Sequence, residues 1–172
     1  MPARADVFDL SSLILHRGEA RRLDLEVAIE PLRYGAQDYV PTEPTVPVRL
    51  DVSRTTAGGY ALRLGYDVRL GGPCTRCLED AGTQVRIDAR EIDQPGGGED
   101  LTSPYLEDEE LDLKGWTRDA LALALPDRIL CGEDCLGLCP ECGENLNTAE
   151  PGHRHEPAPD PRWSKLSELR LE

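Results

Sequence analysis

Four stretches of this sequence alternate apolar and polar residues with period two. Leu23, Leu25, Val27 and Ile29 share one face of the first, and Val46, Val48, Leu50 and Val52 one face of the second. Tyr60, Leu62, Leu64, Tyr66, Val68 and Leu70 do the same in the third, and Val85, Ile87 and Ala89, more weakly, in a fourth. Successive side chains of a strand point to opposite faces, so the pattern predicts antiparallel strands with an apolar side turned inward and a charged side turned to water. The intervening TTAGG (55–59) and GGPC (71–74) are turn-rich. Pro47 has no backbone N–H to give to a ladder, which predicts an edge or a bulge at the start of the second strand.

The pattern changes after residue 93. QPGGGED (94–100) reads as a flexible break, and residues 99–113 carry seven acids and no base. Blocks of like charge stay solvated, which predicts a mobile loop here, with docking to a basic partner as the functional alternative. WTRDALALALP (116–126) predicts a short buried helix that Pro126 stops, and RWSKLSELRL predicts a second short helix with Trp163 and Leu166 on one side. The expected fold is mainly β (α+β): an antiparallel sheet or partly open barrel with a short buried helix, a zinc-knuckle segment and a C-terminal short helix. Residues 1–130 would form the β domain with its helix at 116–126, and residues 131–172 a cysteine-rich segment and helix packed on it. With 172 residues the chain can bury a core without staples, and with one Phe, two Trp and five Tyr that core must be aliphatic.

Charge narrows the partners. Lys and Arg number 19 and Asp and Glu 33, so the net charge is 19 − 33 = −14. Such a chain repels phosphate at long range, which disfavours direct capture of nucleic acid and of anionic membranes and favours basic proteins. Arg17, Arg21 and Arg22 form a small basic edge near the N-terminus, read as solvated. Leu13, Ile14 and Leu15 are too short an apolar run for a signal peptide, and no stretch is long enough to span a bilayer. The expected compartment is the cytoplasm, where thiols stay reduced.

The six cysteines then take on a specific meaning. Their spacings are Cys74-x2-Cys77, Cys131-x3-Cys135 and Cys139-x2-Cys142, followed by His153-x-His155. Six thiols and two imidazoles supply eight donors of the kind zinc prefers, enough for two tetrahedral sites, and a two-residue gap lets a tight turn aim two side chains at one ion. In LCPECGEN, Pro140 sets the turn and Gly143 can take the positive φ a knuckle needs. PCTRCLED falls in a hairpin connection rather than at the helix N-terminus a redox Cys-x-x-Cys requires. The favoured grouping is Cys74, Cys77, Cys131 and Cys135 on one ion and Cys139, Cys142, His153 and His155 on the other. The rival places Cys131, Cys135, Cys139 and Cys142 together. His16 has no cysteine beside it and reads as a surface residue. Four donors fill each site, and no nucleophile elbow, Walker-type loop or His-Glu-x-x-His stretch is present, so the metal reads as scaffold and no catalysis is expected.

PCTRCLED, ALALALP, CGEDCLGLCPECGENLN and DPRWSKLSEL occur in the order that resembles the YceD-type family, the large ribosomal RNA subunit accumulation proteins, from about residue 10 to 171. The resemblance implies a non-enzymatic role in making the large ribosomal subunit of bacteria and plastids, and it supplies no mechanism. Many relatives carry Cys-x-Cys where this chain has His153-Arg154-His155, a change that keeps donor number and spacing. Joined to the acidic composition, the expected partner is a basic ribosomal or ribosome-assembly protein, with large-subunit rRNA contacted through it and one or two structural Zn2+ ions bound. No membrane and no small-molecule substrate is expected. The alternatives are a zinc-ribbon module that binds rRNA directly and a thiol-based redox switch.

Overall fold

The computed structural model describes residues 3–155. The helix expected around Trp163 and Leu166 lies outside them. In chain order the elements are β1 (Ala3–Arg4), β2 (Phe8–Asp9), a 3-10 turn (Leu10–Leu13), β3 (Ala20–Ala28), β4 (Leu32–Tyr34), β5 (Gln37–Pro41), β6 (Thr45–Arg54), β7 (Tyr60–Pro73), β8 (Asp80–Asp93), a 3-10 turn (Glu99–Leu101), β9 (Leu106–Glu107), β10 (Glu110–Leu111) and α1 (Leu113–Ala124).

The four strands predicted by alternation are β3, β6, β7 and β8, side by side and antiparallel. Their register sets like against like on the inner face, with Leu25 opposite Val48, Leu50 opposite Leu64, and Tyr66 opposite Ile87. A slip of one residue would turn every one of these side chains to water, so burial fixes the register. The mainly β, antiparallel architecture is the one expected. The β4–β5 hairpin, which the sequence reading missed, joins β7 beyond β6 through Val40 opposite Gly71 and buries Tyr39.

β6 runs between β3 and β7, but Pro47, near its start, is paired on the β3 side alone and so sits at a local edge. It faces Glu26 of β3, and the β6–β7 ladder begins only at Arg49 opposite Gly65. The absent N–H therefore costs nothing on the β7 side, because β7 has already parted from β6.

α1 packs across the inner face on β8 and β3. It starts at Leu113, earlier than the expected 116, because Asp112 caps it: the carboxylate accepts the N–H of Gly115 at 2.9 Å. It ends at Ala124, short of Pro126. The helix buries one stripe, Leu113, Trp116, Thr117, Ala120 and Leu121, and leaves Leu123 88% exposed, so it is amphipathic rather than buried all round.

The acidic stretch 99–113 departs most from expectation. It is an ordered strap, not a mobile loop. Ser103, Leu111 and Leu113 are buried, and Tyr105 stacks on Trp116 with ring centroids 6.1 Å apart. β9 and β10 form a hairpin around Asp108 and Glu109, both at positive φ (48° and 67°), and β10 continues onto β2. Apolar residues between the acids nail the strap to the core, and a count of charges does not reveal them.

Candidate metal centres

The β7–β8 connection carries the first pair of cysteines. The N–H of Leu78 donates to the carbonyl of Cys74 at 3.0 Å, and the N–H of Cys74 to the carbonyl of Glu79 at 2.7 Å. The same two bonds recur around the third pair, from Gly143 to Cys139 and from Cys139 to Glu144, both at 2.8 Å. PCTRCLED and LCPECGEN are thus two copies of one knuckle. The residue after the second cysteine needs positive φ in both, 64° at Leu78 and 76° at Gly143. Only the second copy has the glycine that signals this turn in a sequence.

Beyond α1 the chain returns to the first knuckle. Thr75 donates its N–H to Ile129 at 2.8 Å, Leu138 donates to Arg76 at 3.2 Å, and the Arg76 guanidinium donates to the carbonyl of Cys135 at 2.7 Å. These bonds gather Cys131 and Cys135 onto Cys74 and Cys77, away from Cys139 and Cys142. The ligand atoms of Cys74, Cys77, Cys131 and Cys135 all lie within 4.8 Å of one another, and those of Cys139, Cys142, His153 and His155 form a second such group. Cys74, Cys77 and Cys135 are buried and Cys131 is exposed, whereas in the second group only Cys139 is buried. His16 stands apart, its backbone N–H on Glu19.

Both groups fit a tetrahedral ion. Zinc–sulfur bonds of about 2.3 Å make the sulfur–sulfur edge of a regular tetrahedron about 3.8 Å. Cys74 Sγ lies 3.8 Å from Cys135 Sγ, and Cys77 Sγ 3.5 Å from Cys131 Sγ. In the second group Cys142 Sγ is 3.5 Å from His153 Nε2, which is 3.0 Å from His155 Nε2. His153 turns Nδ1 to the Glu144 carboxylate at 3.1 Å, so the carboxylate orients the ring and leaves Nε2 for a metal.

The thiols of each group cannot all ionise alone. Burial pushes Cys74 up, yet N–H groups of Cys77, Arg76 and Cys131 outweigh it and bring the thiol to about 6. N–H groups of Cys142 and Glu141 bring Cys139 to about 6 as well. At Cys135 burial again opposes ionisation, but the side-chain amide of Asn147, 3.5 Å from the sulfur, helps lower the thiol. Contact with Cys77 and then Cys135 holds Cys131 up to about 12. Early thiolates block the later ones, and a divalent cation is what relieves that repulsion. The two clusters can hold metal ions.

Sequence reasoning missed three supporting residues. They are Glu144, Asn147 and Arg76, which lie inside the cysteine motifs without being donors themselves. Asn147 also accepts the N–H of Leu136 at 2.8 Å, so the second ribbon steadies a ligand of the first group. The two asparagines of GENLN, where Asn147 bonds back to Asn145, were the available signal.

Comparison with known proteins places the chain. Uncharacterized proteins of Mycobacterium tuberculosis and Mycobacterium bovis are 42% identical to it over 104 residues, covering 57% of this chain and 49% of each relative. The chain thus spans about half the length of these curated relatives. An uncharacterized protein of Mycobacterium leprae is 28% identical over 170 residues, 95% of this chain and 76% of that protein. No solved structure matches significantly. Residues 62–170, which hold both knuckles and all eight candidate ligands, match the family described as large ribosomal RNA subunit accumulation protein YceD, and the chain belongs to that family.

Proposed function

We propose that this chain is a non-catalytic factor for large ribosomal subunit biogenesis that holds a basic ribosomal or assembly protein in the cytoplasm, with structural zinc in both clusters. The observation that carries the reading is the pairing of two closed four-donor groups with a net charge of −14. Four protein ligands complete a tetrahedron, so zinc would brace the fold rather than activate water. The acidic surface would speed encounter with a cationic partner. The wider family role supplies the ribosomal context.

Direct rRNA binding is the second reading, and one observation favours it. Arg22, Arg49, Arg63, Arg69, Arg86 and Arg90 are all exposed on β3, β6, β7 and β8, on the side away from the core. Half of these arginines are already committed to carboxylates, however. Arg22 pairs with Asp51 at 2.6 Å, Arg63 with Asp88 at 2.7 Å and Arg86 with Asp67 at 3.0 Å. The protein-partner reading is therefore preferred.

Binding of the purified chain to isolated large-subunit proteins and to rRNA, at low and near-physiological salt, tests both. Capture of a basic protein, weakened by salt, with little RNA binding supports the proposal. Tight, salt-sensitive RNA binding by the chain alone overturns it. Native mass spectrometry should find two zinc ions per chain.

A further inference from the structure

Among the described residues, β8 is bonded on one side only. Its 14 residues pair with β7 from Tyr60 opposite Asp93 to Pro73 opposite Asp80, and among the described residues no strand lies along its other side. A long open edge invites another strand to add to it.

The middle of β8 is its own complement. It reads Thr83-Gln84-Val85-Arg86-Ile87-Asp88-Ala89-Arg90-Glu91. If two copies run antiparallel with Ile87 opposite Ile87, Arg86 of each faces Asp88 of the other, and Gln84 faces Arg90. Those four positions are exposed and share the outer face of the sheet, while Val85 would meet Ala89 and Ile87 its twin on the inner face, where Val85 and Ile87 are buried. The pleat allows only same-face pairs. An axis at Ala89 would set buried Ile87 against Glu91, and an axis at Val85 would leave Arg86 opposite uncharged Gln84. The two axes between them and Ile87 fail on charge. An axis at Arg86 sets that arginine against itself. An axis at Asp88 sets Asp88 against itself and Arg86 against Arg90. Like charges directly opposite one another destabilise a sheet, and opposite charges stabilise it.

Within one chain Arg86 already bonds Asp67, and Asp88 bonds Arg63 through both carboxylate oxygens. The Ile87 alignment prolongs these pairs into a row of alternating charge, Asp67, Arg86, then Asp88 and Arg63 of the second copy. We propose that two copies of this chain join edge to edge through β8, antiparallel about Ile87, and continue the sheet across a two-fold axis. Such an interface uses the same patch on both subunits.

Sedimentation equilibrium of the zinc-loaded full chain, from about 1 to about 100 µM, reads the association. The wild type should dimerise. Arg86→Asp places like charges opposite Asp88, and Asp88→Arg does so opposite Arg86, so each variant alone should dissociate at least about tenfold more readily. Mixed together, the two variants should form a heterodimer, because every pair across the axis is then again of opposite sign. Asp67→Asn removes the partner of Arg86 within the chain without altering the edge, and it should still dimerise. Circular dichroism of each variant checks the fold, and the mixing result separates an edge contact from general damage. A wild type that stays monomeric overturns the proposal, as does a dimer that neither charge reversal weakens. Protection of β8 amides from exchange only when a different protein is added also overturns it, in favour of strand addition by that protein.

Discussion

Two side chains show how closely the clusters depend on what surrounds them. Glu144 holds His153 by Nδ1 and so fixes which nitrogen faces the second cluster. Glu144→Ala should weaken metal at that cluster by about 10- to 100-fold in a competition titration and leave the all-cysteine cluster unchanged. Leu78 occupies, at φ 64°, the position where the second knuckle has glycine, and it is 56% exposed. Left-handed backbone costs an ordinary residue about 1–2 kcal/mol, part of which glycine returns through its freer unfolded chain. Leu78→Gly should therefore raise the stability of the zinc-loaded protein, by up to about 1 kcal/mol, seen as a higher midpoint in thermal unfolding. A lower midpoint would mean that Leu78 packs on something its exposure does not show.

At the scale of elements, the sequence disclosed what repeats and hid what is short. β3, β6, β7 and β8 were legible because ten or so residues of strict alternation leave a buried sheet face as the simplest outcome. β9, β10 and β2 span two residues each, too few for any period, and their pairings join distant parts of the chain. The knuckles were legible through their cysteines, and the grouping favoured from the sequence is the one whose donor atoms lie together, held by bonds such as Thr75 to Ile129 that no spacing encodes. The strap hairpin has its own test. Glu109 accepts from Tyr60 at 2.7 Å and from Arg54 at 2.8 Å, and these bonds hold its carboxyl below the usual range, the Tyr60 bond first. A carboxyl whose pKa is lowered by folding adds stability that is complete above its unfolded pKa and is lost as pH falls through the folded value. Denaturant midpoints should therefore fall in acid. Glu109→Gln should flatten that fall by lowering the midpoint near neutrality, where the charged carboxylate contributes, and by converging with the wild type in acid. An acid limb as steep in the variant as in the wild type would show that other carboxylates carry it.

Across the whole molecule, the two halves rest on different forces. The sheet and α1 enclose a continuous core, largely aliphatic but built also around Trp116, Tyr39, Tyr60 and Tyr66, that contains none of the cysteines. Cys74, Cys77 and Cys135 form a separate buried cluster with Leu130 and Leu138 beside it. Among the described residues past α1, Ile129 is the one buried apolar side chain that is not a cysteine. On the proposed reading, bound ions would therefore supply the order there, and metal-binding free energy would become folding free energy. Closing the long loop from Cys77 to Cys131 also removes much disorder from the unfolded chain. Chelation at neutral pH should thus split the molecule. Amides of 131–155 and of the 74–79 knuckle should exchange fast, while those of β6 and β7 around Leu50 and Leu64 stay protected. The second cluster should empty first, since Cys142 and His155 are exposed. Cys77→Ser should reproduce the loss around the first cluster and reduce soluble yield more than any exposed substitution in 99–113. Unchanged exchange in 131–155 after complete metal removal would mean that side-chain packing, not an ion, holds that ribbon in place.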